Sequence, residues 1–259
     1  GSSADVIELH VKEHGDTLIT LAELAKLTAL SADEVKEDVC KLEEEGRVRT
    51  FTMRKDIYVW HADSERAMLH MLLDTLEAYE KAHPYRYGMK KAEAQMTHFK
   101  KIRANVFDRI VETFEEAGQV KRVEEFLCTP EYEVKKDGTY EKISGKLLDT
   151  VRKAKYDFVR YSEIDFGKTA SEVTDDILNI LLVEGQLVRV TDDMYTEKSY
   201  MEEAERIIRE KLKEDPVITI AQVRDIFKTS RKSAKPILEY MDSIKVTKKT
   251  GAESERIAY

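Results

Sequence analysis

One phrase, written four times in different words, limits what this chain can become. It is an amphipathic helix that stops at a glycine, then an alternating strand, a polar turn and a second strand. It reads CKLEEEGRVRTFTMRKDIYVW, then ETFEEAGQVKRVEEFLCTP, then NILLVEGQLVRVTDDMYTE. Gly46, Gly118 and Gly185 hold the same place in each, where a chain leaving a helix needs a left-handed residue and glycine supplies it at least cost. A fourth copy, PILEYMDSIKVTKKTGAESERIAY, has Asp242 or Ser243 where the glycine is expected. The copies recur at roughly 60–70 residues, a domain-sized period rather than a solenoid one.

What precedes each phrase repeats as well. A first helix (ADVIELHVKEH, SERAMLHMLLDTLEAYEKA, EKISGKLLDTVRKA, YMEEAERIIREKLKED) leads to a short second one (LAELAKLT, KKAEAQM, YSEIDF, IAQVRDIF). Ser31 and Ser171 then stand where third helices begin and are expected N-caps. Val173, Ile177, Ile180 and Leu181 share one face of such a helix. Helix, helix, turn, helix, hairpin is the winged-helix plan. The expected fold is mainly α with small β wings (α+β), as four tandem winged-helix domains at 4–62, 63–135, 136–198 and 199–259. Without Gly/Ser-rich linkers, the array is expected to be elongated and fairly stiff. The opening Gly1–Ser3 reads as an expression scar and is left out of this expectation.

Composition agrees. With 42% hydrophobic residues the chain can bury cores, while 36% charged residues suit small modules with much surface. Four prolines and ten glycines argue against an all-β protein. Cys40 and Cys128 form no Cys-x-x-Cys, so neither a disulfide framework nor a zinc ribbon is expected, and a reducing, cytoplasmic compartment is. No apolar run has transmembrane length, and no membrane partner is expected.

Charge sorts the copies. An element that approaches phosphates needs cations and must avoid anions. The third helix of copy one carries Asp33, Glu34, Glu37 and Asp38, and that of copy three carries Glu172, Asp175 and Asp176. Copy four differs. Arg231, Lys232 and Lys235 open its third helix, Lys245, Lys248 and Lys249 follow on the wing, and Arg256 lies on the return strand. From Val217 to Tyr259 there are nine Lys/Arg against five Asp/Glu, in a chain of net charge -8. Thr229 or Ser230 is expected to cap that helix, whose exposed N–H groups then add to an anion site. Copy two is intermediate: Lys100, Lys101 and Arg103, with Lys90 and Lys91 nearby, form a secondary basic patch. Residues alone leave three readings: an RNA binder, a DNA-binding transcriptional regulator, or a protein-interaction scaffold.

TSRKSAKPILEYMDSIKVTKKTG, from Thr229, and HPYRYGMKKAE, from His83, with its Pro-x-Arg-x-Gly, carry a resemblance. The chain resembles the C-terminal extension of bacterial selenocysteine-specific translation elongation factors. In that family the extension is four winged helices, the last of which binds the selenocysteine insertion (SECIS) hairpin of the mRNA. The resemblance therefore implies an RNA-binding fragment without enzyme activity or cofactor, the family's GTPase domain lying outside it. It implies a cytoplasmic monomer that meets the ribosome and selenocysteyl-tRNA through the full-length factor. The family's RNA contacts fall on Ser230, Arg231 and Lys232, on Lys249 and Gly251 at the wing tip, and on Arg256; Lys235 and Lys248 extend the same basic surface. The wing tip departs from the family, reading GAESER, two residues longer and with Glu253 and Glu255. Ser233 stands where the family often has an aromatic residue. Pro236 removes the backbone bond to the Lys232 carbonyl, a loss of about 3 kcal/mol within a helix. Either a kink toward RNA or an accident of packing would account for it.

Two motifs are set aside. HVKEH, His10 to His14, has the spacing of an inverted zinc-protease motif but no third ligand, so no metal site is expected. FGKTAS, from Phe166, has a Gly-Lys-Thr, but Ser162 stands where a phosphate loop needs glycine, so no nucleotide is expected. Trp60 is expected in a core.

Overall fold

The computed structural model describes residues 1–259. Its contacts divide the chain into two compact units, Gly1–Val134 and Lys135–Tyr259, each holding two of the four winged-helix modules.

In the first unit, module 1 is α1 (Ser3–Glu13), β1 (Ile19–Thr20), α2 (Leu21–Thr28), α3 (Ala32–Glu44), β2 (Val48–Thr52) and β3 (Ile57–His61). The antiparallel sheet has the order β1-β3-β2. α3 buries Val35, Val39 and Leu42 on one face, and these pack with Ile7 and Val11 of α1, Leu24 of α2 and Val59 of β3. The opening serines are not idle. Ser2 accepts from the Asp5 N–H in a capping box, so the terminal residues set aside in the sequence start the first helix.

Module 2 repeats the order with α4 (Ala62–Ala82), β4 (Met89–Lys90), α5 (Lys91–His98), α6 (Ala104–Glu116), β5 (Lys121–Val123) and β6 (Phe126–Cys128), in a β4-β6-β5 sheet. Gly88 is required here: its φ is +147°, and a Cβ would stand 2.1 Å from the Leu127 carbonyl oxygen. The neighbouring Arg86 donates to the Tyr79 hydroxyl at 2.9 Å, and the Tyr132 hydroxyl donates back to the Arg86 carbonyl at 2.5 Å.

The second unit opens with module 3: α7 (Gly138–Ala154), α8 (Ser171–Val183), β7 (Leu187–Thr191) and β8 (Met194–Glu197). Two expectations fail here. YSEIDF is not a helix but one 3-10 turn over Tyr161–Glu163, and the Asp193 side chain and carbonyl accept from the Ser162 and Tyr161 N–H groups at 2.9 and 2.7 Å. Nor does Ser171 cap α8. Ala170 holds the N-cap position without a side-chain bond, and Ser171 is the first helical residue. The third strand is reduced to a single bridge between Arg160 and Met194.

Module 4 is α9 (Lys198–Glu214), β9 (Val217–Thr219), α10 (Ile220–Ile226), α11 (Arg231–Ser243), β10 (Thr247–Lys249) and β11 (Glu255–Ala258), with sheet order β10-β11-β9. Pro236 is buried within α11, and the helix runs on through it to Ser243. Gly46, Gly118 and Gly185 end their helices at φ +74°, +71° and +77°. The fourth copy meets the same need with Lys245, at φ +61°, two residues beyond Ser243. The N–H of Lys245 donates to Asp242 and that of Val246 to Met241, the pattern Gly46 and Arg47 make with Glu43 and Leu42.

Modules are fused in pairs. β3 ends at His61, and that residue is the N-cap of α4; β8 ends at Glu197, and that residue is the N-cap of α9. The cores are shared accordingly. Trp60 of module 1 is fully buried in one cluster with α4 and α6, its ring 6.2 Å from Phe114. Phe158, Val190 and Met194 of module 3 pack with Ala234, Ile237 and Leu238 of α11.

Candidate nucleic-acid interface

The start of α11 sets the site. Ser230 holds the N-cap position, but its hydroxyl makes no cap bond, and the Thr229 hydroxyl donates instead to Asp157 at 3.4 Å. The expected side-chain cap is therefore missing, and the first N–H groups of α11 are left to another acceptor. Arg231 and Lys232 occupy the next two positions, exposed and without an ion pair. Thr229–Asp157 and Ser233–Phe158 fasten this turn to module 3. Ser233 is buried, and its hydroxyl accepts the Phe158 N–H at 3.1 Å. A small residue at this position packs between modules, where an aromatic side chain would find no room.

The wing meets the helix through an acid. Glu253 lies 3.3 Å from Lys249 and 3.8 Å from Lys235, and Lys235 also reaches Glu239 at 3.9 Å. The hydrogen bond from Lys249 holds the Glu253 carboxyl below the usual carboxylate range. The residues that lengthen the wing thus place an internal anion on the basic surface. Lys248 is exposed and unpaired. Gly251 is exposed, and a Cβ there would meet nothing within 4 Å.

Arg256 does not belong to the exposed surface. Its side chain is 0% exposed. The guanidinium donates to Asp242 at 2.9 and 3.1 Å and to the Glu253 and Glu255 carbonyls at 2.8 and 3.0 Å. It laces the wing turn to the end of α11. The Asp242 carboxylate neutralises the buried charge, while the second terminal nitrogen, Nη2, is buried without a partner.

The secondary patch is less free than its sequence suggests. Lys101 is paired with Asp16 at 3.1 Å and Lys91 with Asp108 at 2.7 Å. Lys100 is exposed, and Arg103 holds the uncapped N-cap position of α6. Arg103 faces a cleft of about 450 Å³ together with Arg54 and Lys55 of the module 1 wing. A larger cleft, about 510 Å³, lies at the corresponding place in the second unit and brings Arg160 beside Arg231, Lys232 and Lys235. Sequence reading missed Arg160. Its only signal is a lone basic residue on a strand too short to read as one.

The set-aside motifs sit in ordinary surroundings. The ring nitrogen Nδ1 of His14, the C-cap of α1, lies 2.7 Å from the His10 carbonyl. Gly167 is in an exposed loop, where Asp165 accepts its N–H at 2.8 Å.

Fold and surface define a tandem winged-helix protein in which α11 opens with two unpaired cations. Comparison with known proteins adds what this fold is similar to. The SelB winged-helix family (Elongation factor SelB, winged helix) matches residues 210–253 and, through a second member, residues 73–127. A selenocysteine-specific elongation factor of Desulfomicrobium baculatum is 26% identical over 190 residues, covering 69% of this chain and 28% of that protein. The chain thus spans little more than a quarter of that relative's length. The crystal structure of a bacterial selenocysteine-specific elongation factor EF-Sec overlays 96% of this chain on 37% of its own, with 17% identity and a TM-score of 0.51. The mRNA-binding domain of elongation factor SelB from E. coli, solved in complex with SECIS RNA, covers 46% of this chain and 97% of its own, with 20% identity and a TM-score of 0.38. The resemblance read at His83–Glu93 and from Thr229 falls within the segments that match the SelB winged-helix models.

Proposed function

We propose that this chain binds a structured mRNA hairpin of the SECIS type through the start of α11 and the wing of module 4. It would do so as the C-terminal extension of a selenocysteine-specific elongation factor. One observation carries the reading: only α11 opens with two free cations at its first two positions, on a helix start without a side-chain cap. The phosphate edge of a hairpin tip supplies the anions that such a start takes up. Ser230, Arg231, Lys232, Lys248 and Lys249 are the contact residues in this reading, and Lys235 joins once Glu253 is displaced. Arg256 acts as a clamp behind them. The modules in this reading are 4–62, 63–135, 136–198 and 199–259, each beginning one residue past a helix or unit start described above. The chain itself is non-catalytic and monomeric; GTP hydrolysis, tRNA and ribosome contacts belong to the full-length cytoplasmic factor. No helix is long and apolar enough to cross a membrane.

The buried Ser233–Phe158 bond weighs against duplex DNA. A helix lying along a major groove needs its flanks clear, and one flank of α11 is covered by module 3. A competition experiment on the intact chain tests the reading with a labelled SECIS hairpin displaced by unlabelled hairpin, matched duplex DNA or single-stranded RNA. The hairpin should compete at far lower concentration than the other two. Equal displacement by duplex DNA, or none by any nucleic acid, would overturn the assignment.

A further inference from the structure

Module 3 lacks the second helix that the other modules have. In module 1, α2 lies against α1, and Leu24 packs with Ile7 and Val11; in module 2, α5 lies against α4. In module 3 the Tyr161–Glu163 turn takes that place, and two hollows open beside α7. One, of about 460 Å³, lies between Gly145 and Phe166; the other, also about 460 Å³, reaches Val159. Lys146 and Asp149 border both, so the two form one groove along α7, with Lys142 at one end and Lys153 at the other. The groove shares no lining residue with the cleft at the start of α11.

Gly145 sits inside α7, where glycine weakens a helix. Nothing in the fold requires it: its φ is not positive, and a Cβ would meet nothing within 4 Å. Gly46, Gly118 and Gly185 leave the same open space, but each supplies a left-handed φ. Bare helix backbone at the floor of a groove admits a close neighbour. The walls are partly apolar, since Phe166 is half-buried and Val159 is 37% exposed. Lys142, Lys146 and Lys153 are exposed and form no ion pair. Of the two carboxylates, Asp165 already accepts the Gly167 N–H at 2.8 Å. Three cations thus face two anions, in a chain of net charge -8. Carboxylates along the floor disfavour a chain of phosphates. α7 offers no strand edge, so an occupant must satisfy its own backbone, as a helix does. We propose that this groove docks a short acidic amphipathic helix of a partner protein, in the place of the second helix that module 3 lacks. Two apolar anchors enter the two hollows, and Asp or Glu residues at the margins meet Lys142, Lys146 and Lys153. From Lys142 to Ala154, α7 runs about 18 Å, which roughly three turns of a partner helix span. The inference does not rest on the RNA reading.

The test selects displayed random peptides of about 16 residues on the intact chain, with the Gly145→Leu protein as counter-selection. Leucine is the better helix former, so Gly145→Leu should keep or raise the melting temperature while it fills the groove. Peptides that bind wild type and not this variant should carry apolar residues at i and i+4 or i+7, flanked by Asp and Glu. For one such peptide, Lys142→Glu combined with Lys146→Glu should weaken binding roughly 10-fold at low salt. Replacing the peptide's acids by lysines should restore binding to that double variant and not to wild type. If no enriched peptide depends on Gly145, or if those that do are neutral or basic, the proposal is overturned. Should Gly145→Leu lower the melting temperature, the charge swap decides alone: restored binding supports the groove, and its failure overturns it. Single-stranded RNA that binds wild type and is lost in the double variant would make the stripe a nucleic-acid surface and overturn the proposal. A labelled SECIS hairpin should behave identically toward wild type and Gly145→Leu, whether or not it binds; a difference would assign the groove to the RNA site instead.

Discussion

The same cleft occurs twice, and its chemistry differs. In residues 1–134 it lies between the module 1 wing, with Arg54, Lys55 and Asp56, and the start of α6, with Arg103 and Asn105. In residues 135–259 it lies between the module 3 wing, with Thr191 and Asp192, and the start of α11, with Arg231 and Lys232. The first two residues of α6 are Ala104 and Asn105, and those of α11 are Arg231 and Lys232. The third helices of modules 1 and 3 open with Ala32–Asp33 and Ser171–Glu172. Packing fixes the buried face of all four helices and leaves these two exposed positions open to any charge. One scaffold can therefore carry an acidic, a neutral or a basic helix start with little change in stability. Difference in function is written at the positions that folding constrains least.

The comparison breaks most severely if the frame of module 4 is removed. Arg256→Ala leaves Asp242 without its buried partner and should destabilise the second unit by about 3–5 kcal/mol, measured by chemical denaturation. A stable Arg256→Ala protein that loses only hairpin affinity would return Arg256 to the contact surface. Next in size is making α11 resemble α6. Arg231→Ala combined with Lys232→Asn should reduce hairpin affinity roughly 100-fold with the melting temperature unchanged, by titration and thermal scan. Retained affinity would move the RNA surface to the first unit, where a Lys100/Lys101 double variant would then be decisive. Glu253→Gln should have a smaller effect of opposite sign. Freeing Lys235 and Lys249 should tighten hairpin binding roughly 2- to 5-fold at low salt, and the gain should shrink as salt rises. Because Lys249 holds Glu253 below the usual carboxylate range, the carboxyl stays charged from pH 5 to 8. The gain should therefore be flat across that window, and a gain that disappears toward pH 5 would place the effect on another group. Smallest is Lys245→Gly. Putting glycine at the position where the other three modules have it should relieve the left-handed strain and stabilise the chain by about 1 kcal/mol, read as a higher melting temperature.

Much of this was legible, for physical reasons. Helix ends at Gly46, Gly118 and Gly185 follow from one backbone demand, and α3, α6 and α8 follow from spacing that puts Val35, Val39 and Leu42, or Ile177, Ile180 and Leu181, on one face. The same reasoning misplaced the fourth helix end because a lysine can take the left-handed conformation at a modest cost, and sequence does not mark where. The Ser-Arg-Lys helix start was visible because charge at exposed positions is legible in a sequence. Arg256 was not, since one basic residue on a strand looks alike whether it faces solvent or Asp242. Arg160 and Ser233 were hidden for a different reason. Their surroundings come from another module, and no local pattern reports a partner 70 residues away. YSEIDF, read as a helix, is a turn whose first N–H groups are bound by Asp193 on a later hairpin, a partner that local sequence does not report.

The junction at Glu197 has a mechanical consequence. The last residue of β8 is also the N-cap of α9, so no linker residue separates the sheet of module 3 from the first helix of module 4. A load applied at Arg231 cannot be taken up by a slack linker. It passes along α11 into the core shared with Phe158, Val190 and Met194, and there it is resisted by packed side chains that yield little. In the proposed reading, Lys135–Tyr259 is a short lever that holds the hairpin at one end.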